Sequence, residues 1–137
     1  HIGLPESAYM LAAGLKWAID RVEETREPVL AKKPIKVPGY MTVKKGNVAG
    51  FNHRCFAYRN KKVVITLEEL GRVDPKEDYR NIITINGDPA LTEWMNVPAG
   101  NITTTSHAVN LIPALLKTSP GLKTMLDLPV AALVAPQ

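Results

Sequence analysis

The sequence predicts an α+β domain with a mixed or antiparallel sheet of four or more strands and helices packed on one face of that sheet. Apolar residues follow helical spacing near both ends of the chain, and four or five strand-like stretches lie between them. Because these strands follow one another without intervening helices, a parallel, doubly wound sheet is disfavoured. The 137 residues fit a single domain that spans positions 1–137.

The first helix is predicted over Leu4–Ala18, about four turns long. Pro5 suits a first helical turn, and the carboxylate of Glu6 is favourable beside the positive end of the helix dipole. The residues with helical spacing are Tyr9, Leu11, Ala12, Leu15 and Ala18. The following stretch, Ala18–Ala31, alternates between two faces and is predicted to be a strand. It ends in Pro28-Val29-Leu30, and Pro28 is typical of a strand end or a sheet edge.

The middle of the chain predicts paired strands. Val43–Val73 contains two strand patterns on either side of a turn at Asn60–Lys61, and the second is rich in β-branched residues. A further strand is predicted at Ile82–Ile85 and stops at Asn86–Pro89. The segment Ala90–Val97 is its candidate partner.

A last helix is predicted from Thr104 to Thr118, with its apolar face formed by Ala108, Leu111, Ile112, Leu115 and Leu116. Pro113 removes one N–H inside this helix and predicts a kink. The hydroxyls of Thr103–Ser106 are candidate N-caps, and four of them exceed what a cap needs. We therefore expect this helix start to hold an anionic or amide-bearing ligand. The alternative is that the threonines only cap the helix and that His107 is a surface histidine.

Composition narrows the class of protein. The 45% hydrophobic and 22% charged content is ordinary for a globular fold, and no apolar run approaches the roughly 20 residues that span a bilayer. Cys55 is the single cysteine, so an internal disulfide is impossible and a reducing, cytoplasmic location is expected. The net charge of +4 comes with lysines at predicted turns, without the basic stripe and aromatics of a nucleic-acid surface. The three histidines have no metal-ligand spacing, so no metal site is predicted.

Several segments resemble the carboxy-terminal domain of the dihydrodipicolinate reductase family. In that family a cluster of small hydroxyl residues precedes the domain's last long helix, and a Gly-Leu-x-x-Met-x-Asp segment follows it. Thr103–Ser106 and Gly121–Asp127 match those two features, and His1–Tyr9 aligns through its proline with the family's substrate loop. Diamino-acid dehydrogenases of this family are more similar, in "GLPESAYMLA", "DRVEETREPV", "INGDPALTEW" and "VNLIP…PGLKTMLDLP". The resemblance covers nearly the whole chain.

The resemblance implies a substrate site between the starts of the two helices. Its implied residues are Glu6, Ser7, Thr103, Thr104, Thr105 and His107. Ser7 would donate a hydroxyl to a substrate carboxylate, and Glu6 would pair with a substrate ammonium group. The alternative is that Glu6 serves only as a first-turn helix carboxylate. The position of the reductases' lysine proton donor is held by His1, and the catalytic residues stay unidentified.

The resemblance further implies an oxidoreductase that uses NAD(P) and deaminates a small amino-acid substrate. The chain contains no Gly-x-Gly-x-x-Gly turn, so the cofactor is expected to bind mainly to an N-terminal domain absent from this chain. The expected partners are that small molecule and further copies of the chain in a homo-oligomer, with no nucleic acid and no membrane. The alternative is a non-catalytic α+β ligand-binding or assembly domain.

Overall fold

A computed structural model of the chain describes residues 3–74, 80–96 and 100–129. By its internal contacts the chain divides into two compact units, His1–Glu77 and Asp78–Gln137. The described residues form two helices and seven strands, and every strand pair is antiparallel. The predicted α+β class with antiparallel strands is therefore confirmed.

Helix α1 spans Gly3–Gly14 and ends four residues earlier than the sequence predicts. Lys16 adopts a left-handed conformation with φ of 56°. The N–H of Trp17 donates to the carbonyl of Ala12 at 2.8 Å, and the N–H of Lys16 donates to Ala13 at 3.0 Å. This pair of bonds is a Schellman cap, which satisfies the last carbonyls and turns the chain toward the sheet.

The first unit is built on a three-stranded sheet in the order β1-β4-β5. These strands are β1 (Arg21–Leu30), β4 (Val48–Arg59) and β5 (Lys62–Arg72). The predicted turn joins β4 to β5, with positive φ at Asn60 and Lys61 as a tight hairpin turn requires. The predicted hairpin is confirmed.

The two faces of this sheet have different roles. Ala8 of α1 packs on one face against Cys55 and Ala57, and all three are fully buried. The partly buried residues around this small core are Leu4, Ile19, Val22, Ile65 and Leu67. On the opposite face, Arg54 of β4 pairs with Glu68 of β5 at 2.9 Å, so polar groups cover that face.

A smaller hairpin lies at the far end of the sheet. Strands β2 (Ile35–Val37) and β3 (Met41–Val43) pair with each other and not with the larger sheet. Ala31, Val43 and Ala49 form a second buried cluster beneath them. This hairpin therefore caps one end of the first unit.

The second unit contains a two-stranded hairpin and the last helix. Strands β6 (Arg80–Ile85) and β7 (Leu91–Asn96) are the predicted pair, and β6 begins two residues earlier than predicted. Helix α2 spans Gly100–Leu115 and continues two residues beyond Pro113. Among the described strands the largest sheet has three members, so the expected four or more strands are distributed over three separate sheets. Periodicity identifies individual strands, whereas strand pairing depends on residues distant in the sequence, so the sequence did not predict this division.

Candidate functional site

The start of α1 carries the first two predicted substrate residues. Glu6 is exposed and lies two residues before Ala8, on the side of the helix away from the sheet. Ser7 is half-buried, and its hydroxyl donates to the carbonyl oxygen of Gly3 at 3.0 Å. In this conformation the Ser7 oxygen is available as an acceptor, because its hydrogen is already used within the helix.

The start of α2 differs from its prediction. The helix begins at Gly100, so Thr103, Thr104 and Thr105 lie in its first two turns and not at the cap position. The prediction that these hydroxyls are N-caps is therefore wrong. Thr103 is half-buried, whereas Thr104, Thr105 and His107 are exposed.

The two sets of predicted residues lie in different units. Glu6 and Ser7 share α1, and the three threonines and His107 share α2. Their convergence on one pocket remains a prediction. His1, at the position of the reductases' proton donor, lies outside the described residues.

A polar network that the sequence analysis missed lies on the helix-bearing face of the three-stranded sheet. The Nε2 atom of His53 is 2.8 Å from Oε2 of Glu24, and the side chain of His53 is only 3% exposed. Arg26 places Nη2 3.0 Å from Oε1 of Glu24, and its Nε lies 3.4 Å from Nε2 of His53. In the sequence, the i, i+2 spacing of Glu24 and Arg26 indicates that they share one face of a strand. His53 is brought beside them only by the register between β1 and β4.

The electrostatics of this network keep its carboxylate ionised. The hydrogen bond from His53 is the main cause that lowers the pKa of Glu24, and the bond from Arg26 adds to it. An ionised Glu24 accepts from both neighbours, so the His53 Nε2 that donates to it carries a hydrogen and cannot at the same time accept from Nε of Arg26. The three side chains form one hydrogen-bonded group.

Cys55 lies beside this network but has the wrong chemistry for a nucleophile. It is the register partner of Glu24, and its side chain is fully buried. Burial raises the pKa of its thiol, and the negative charge of Glu24 raises it further. The thiolate is therefore disfavoured, and Cys55 serves as a small core residue.

Two arginines of β4, Arg54 and Arg59, have partners on the opposite face of the sheet or at its edge. Arg54 donates Nε to Glu68 at 2.9 Å, and Asn52 donates to the same carboxylate oxygen at 2.8 Å. Arg59 lies over the ring of Trp17, with its guanidinium carbon 5.7 Å from the ring centre. Both side chains have structural partners.

A shallow groove of about 330 Å³ lies where the larger sheet meets the β2–β3 hairpin. Its lining combines an apolar floor with charged groups: Val29, Leu30, Ala31, Lys32, Lys33, Ile35, Ala49, Arg72 and Asp74. Lys32 and Lys33 are exposed at its rim, as expected for turn lysines. The groove contains none of the predicted substrate residues.

Neither a metal-binding cluster nor a membrane-spanning helix occurs within the described ranges. No three His, Cys, Asp or Glu side chains there are grouped so that they could hold a metal ion. Neither of the two helices described is long and apolar enough to cross a membrane.

These features define an α+β domain in which polar groups gather on the helix-bearing face of an antiparallel sheet. A family model of the 2,4-diaminopentanoate dehydrogenase C-terminal domain matches residues 1–136. The chain belongs to this family, and the resemblance inferred from its motifs is confirmed.

Two known proteins support the assignment. The chain is 33% identical over 139 aligned residues to a 2,4-diaminopentanoate dehydrogenase of Acetoanaerobium sticklandii, an alignment that covers 95% of this chain and 38% of that protein. A solved structure of an amine dehydrogenase from Mycobacterium smegmatis has the same fold, with a TM-score of 0.83, 24% identity, and coverage of 95% of this chain and 39% of that one. The chain thus spans about two-fifths of the length of each relative.

Proposed function

We propose that this chain is the substrate-binding and oligomerisation domain of a cytoplasmic NAD(P)-dependent dehydrogenase that oxidatively deaminates a diamino acid. The observation that carries the proposal is the match of the family to residues 1–136, together with 33% identity to a 2,4-diaminopentanoate dehydrogenase. The nicotinamide cofactor, when bound, accepts a hydride from the carbon that bears the amino group.

The residues present do not fit a dinucleotide cradle. No two glycines of the sequence are separated by a single residue, so the Gly-x-Gly-x-x-Gly turn is missing. Gly50 lies within a strand and packs against the backbone of Gly71, where no phosphate could approach. We therefore propose that the cofactor binds to another domain of the enzyme and that this chain binds the substrate.

The proposed substrate site joins the exposed and half-buried polar groups at the two helix starts. Glu6 would pair with an ammonium group of the substrate. The Ser7 oxygen would accept a hydrogen bond from a second such group while its hydroxyl donates to the Gly3 carbonyl. The hydroxyls of Thr103, Thr104 and Thr105 and the ring of His107 would contact the substrate from α2. The exposure of Glu6 and Thr104 supports this role, because neither side chain is used in a core.

The site is tested by paired substitutions in the enzyme that joins this chain to its dinucleotide-binding domain. Glu6→Gln and Thr104→Val should each lower kcat/KM for a diamino acid, because each removes one contact to a charged substrate. The loss should correspond to roughly 1–3 kcal/mol of transition-state stabilisation. Thr118→Val is a matched control, since that hydroxyl only donates to the carbonyl of Leu115. Reduction of NAD(P) is followed by absorbance. Unchanged kinetics in both test variants would reject the site, and no turnover by the unmodified enzyme would reject the function.

We also propose that the β6–β7 hairpin provides the contact between subunits. Both of its faces carry exposed apolar residues, which are Ile82 and Trp94 on one side and Ile83, Ile85, Leu91 and Met95 on the other. An isolated two-stranded hairpin is marginally stable in water, so it gains stability from a further surface. The free face of the three-stranded sheet is less suitable, because charged pairs such as Arg54–Glu68 would have to be desolvated.

A further inference from the structure

The segment that follows α2 exposes its apolar side chains. It runs from Gly121 to Asp127, and we call it the apolar turn. Leu122 keeps 98% of its surface exposed, Leu126 keeps 53% and Met125 keeps 44%. The residues that the structure describes therefore leave three large apolar groups uncovered within one short stretch of the chain.

The polar groups of the apolar turn are hydrogen-bonded locally. The carboxylate of Asp127 accepts from the backbone N–H of Thr124 at 2.8 Å and from its hydroxyl at 2.7 Å. The same hydroxyl oxygen accepts from the backbone N–H of Leu126 at 3.3 Å. The ammonium group of Lys123 donates to the hydroxyl of Ser119 at 2.9 Å. Both charged side chains of the apolar turn therefore have partners close by in the sequence.

This combination suits the apolar turn to burial against another surface. Single exposed apolar residues are common on proteins, but several of them grouped on an ordered segment mark an interaction surface. The bonds of Lys123 and Asp127 stay intact when the turn is covered, so neither charge is buried without a partner. The bonds from Thr124 also lower the pKa of Asp127, so this carboxylate is ionised at neutral pH.

The backbone of the apolar turn is shaped before any partner is present. Gly121 has φ of 128°, a conformation that other residues rarely adopt, and no described atom lies within 4 Å of the position of an added Cβ. Glycine is therefore required there by the backbone and not by lack of space. Gly121 and Asp127 are the ends of the Gly-Leu-x-x-Met-x-Asp segment, and Leu122 and Met125 are its exposed apolar members. A preformed turn loses less conformational entropy on binding.

We propose that the apolar turn docks against the dinucleotide-binding domain of the same enzyme molecule. The inference rests on the function proposed above, which places the cofactor on that domain, and adds the surface that contacts it. The alignments with this chain cover 38% of one relative and 39% of the other, so most of each relative lies outside the matched region. A large additional protein surface is therefore available to cover the turn.

The size of the apolar turn favours a contact within one molecule over a contact between copies. A specific interface between separate proteins buries about 800 Å² on each partner, which is more than three side chains supply. Two domains of one molecule meet at effective concentrations in the millimolar range, so a smaller contact is sufficient to hold them together. The β6–β7 hairpin, with more exposed apolar residues, is the better surface for a second copy.

Helix α2 connects the apolar turn to the proposed substrate groups. Thr103–Thr105 and His107 lie near its start, and the helix ends at Leu115, shortly before the turn begins. The N–H and the hydroxyl of Thr118 both donate to the carbonyl of Leu115, at 3.1 and 2.8 Å, so the connection is hydrogen-bonded. Transfer of a hydride requires the reacting atoms to be held close together. Docking of the turn therefore fixes α2 relative to the domain that carries the cofactor.

Methionine oxidation in the complete enzyme tests this docking without any need for turnover. Met10, Met41 and Met125 keep 37%, 64% and 44% of their surface exposed in this chain, so all three should react with dilute hydrogen peroxide unless they become covered. We expect Met125 to be oxidised at least about 10-fold more slowly than the faster of the other two, as measured by mass spectrometry of peptides.

Leu122→Ser should bring the oxidation rate of Met125 to within about threefold of that reference, because it removes the main apolar group of the contact. Since Leu122 is almost fully exposed, this substitution should not unfold the chain. Leu70→Thr is the matched control, because Leu70 is an exposed leucine of β5 in the first unit, and it should leave the rate at Met125 unchanged.

The outcomes separate the docking from the function on which it rests. Oxidation of Met125 at the reference rate in the unmodified enzyme would overturn the docking, and turnover of a diamino acid by that enzyme would leave the dehydrogenase function standing. Protection of Met125 that is lost on dilution would assign the turn to a second copy and also overturn it, because a contact within one molecule does not depend on concentration. Protection without turnover would support the docking and reject the proposed function.

Discussion

The two units of this chain differ in how much of their apolar surface is buried. In the first, α1 covers one face of a three-stranded sheet, and Ala8, Cys55 and Ala57 are fully buried. In the second, the paired residues Ile82 and Trp94 keep 65% and 61% of their surface exposed. The first unit therefore contains its own small core, while the second presents apolar surface that the described residues leave uncovered.

The two units therefore present different kinds of surface. A sheet held by a helix on one face and by ion pairs on the other offers rigid positions for polar groups such as Arg26. An exposed apolar hairpin can form an interface with another protein surface. The proposed subunit contact lies on β6 and β7, so substitutions there should leave the polar groups on the sheet of the first unit in place.

The largest effect is expected at the tight packing between β4 and β5. A methyl group at Gly50 would overlap the carbonyl oxygen of Gly71, which is a backbone atom and cannot rotate away. Gly50→Ala should therefore lower the free energy of unfolding by about 3 kcal/mol or more. Urea denaturation of the chain measures this value.

Gly71→Ala is the matched control for that substitution. Its new methyl would meet the ring of Phe51, 2.5 Å from Cε1, and this exposed side chain can move aside. We expect a loss of about 1 kcal/mol. Equal losses at the two positions would contradict this expectation. They would show that the strand backbone at Gly71 shifts to accommodate a methyl group as readily as the Phe51 side chain does.

The next effect concerns the second unit and its proposed contact. Ile82→Thr combined with Trp94→Thr should shift the chain toward monomer, because both residues lie on one face of the β6–β7 hairpin. Threonine keeps the β-propensity of both positions, so the hairpin itself is retained. Light scattering across a concentration series measures the mass.

The control for this shift is on the first unit. Val63→Thr changes an exposed apolar residue of β5 and should leave the mass unchanged. A monomeric unmodified chain would contradict the proposed contact, unless joining the dinucleotide-binding domain restores assembly. An identical shift in the Val63 variant would assign the contact to the three-stranded sheet.

The sequence predicted the elements better than their arrangement. Alternation and turn residues were sufficient for the hairpin around Asn60 and Lys61, because those signals are local. The early end of α1 at Gly14 depends on a left-handed lysine, which the pattern of apolar residues does not encode. The capping role predicted for Thr103 failed because the helix continues upstream to Gly100 through residues that lack an apolar stripe.

The candidate site shows the same limit. Motif resemblance pointed to the helix starts, where short segments can be compared directly along the chain. The network of Glu24, Arg26 and His53 needs the register between β1 and β4, and a shift of one residue would turn His53 to the other face. Register is a tertiary property, so no local pattern identified these three residues as a group.

A smaller effect should distinguish the polar networks on the two faces of the first unit's sheet. Hydrogen bonds from His53 lower the pKa of Glu24, and bonds from Arg54 and then Asn52 lower the pKa of Glu68. A lowered folded-state pKa adds stability above the ordinary value of 4.5, and that stability is lost as the pH falls through the folded-state pKa. Both networks should therefore stabilise the chain at neutral pH and not in acid.

Glu24→Gln and Glu68→Gln test this pH dependence. Each should reduce the free energy of unfolding near neutral pH, and the difference from the unmodified chain should shrink at about pH 3, where the native carboxylates become protonated. Added salt should weaken the Glu68 effect more, because its partner Arg54 is exposed whereas His53 is buried. A difference that stays constant with pH would mean that shape, and not charge, decides both substitutions.

The smallest effect is expected at the turn between β4 and β5, where two residues without a glycine adopt left-handed conformations. Asn60 has φ of 50° and Lys61 has φ of 64°. Asparagine tolerates this region, but lysine is strained there, and glycine at the second turn position is the usual solution.

Lys61→Gly should therefore raise the free energy of unfolding by about 0.5–1 kcal/mol after the entropic cost of glycine is subtracted. The backbone N–H of residue 61 would still donate to Asp20, at 3.2 Å in the unmodified chain. Lys62→Gly, one residue later in the strand, should instead lower stability by about 0.5–1 kcal/mol. Chemical denaturation measures the free energy of unfolding of both variants. A loss of stability in Lys61→Gly would mean that the side chain of Lys61 stabilises the fold by more than the strain in its backbone costs.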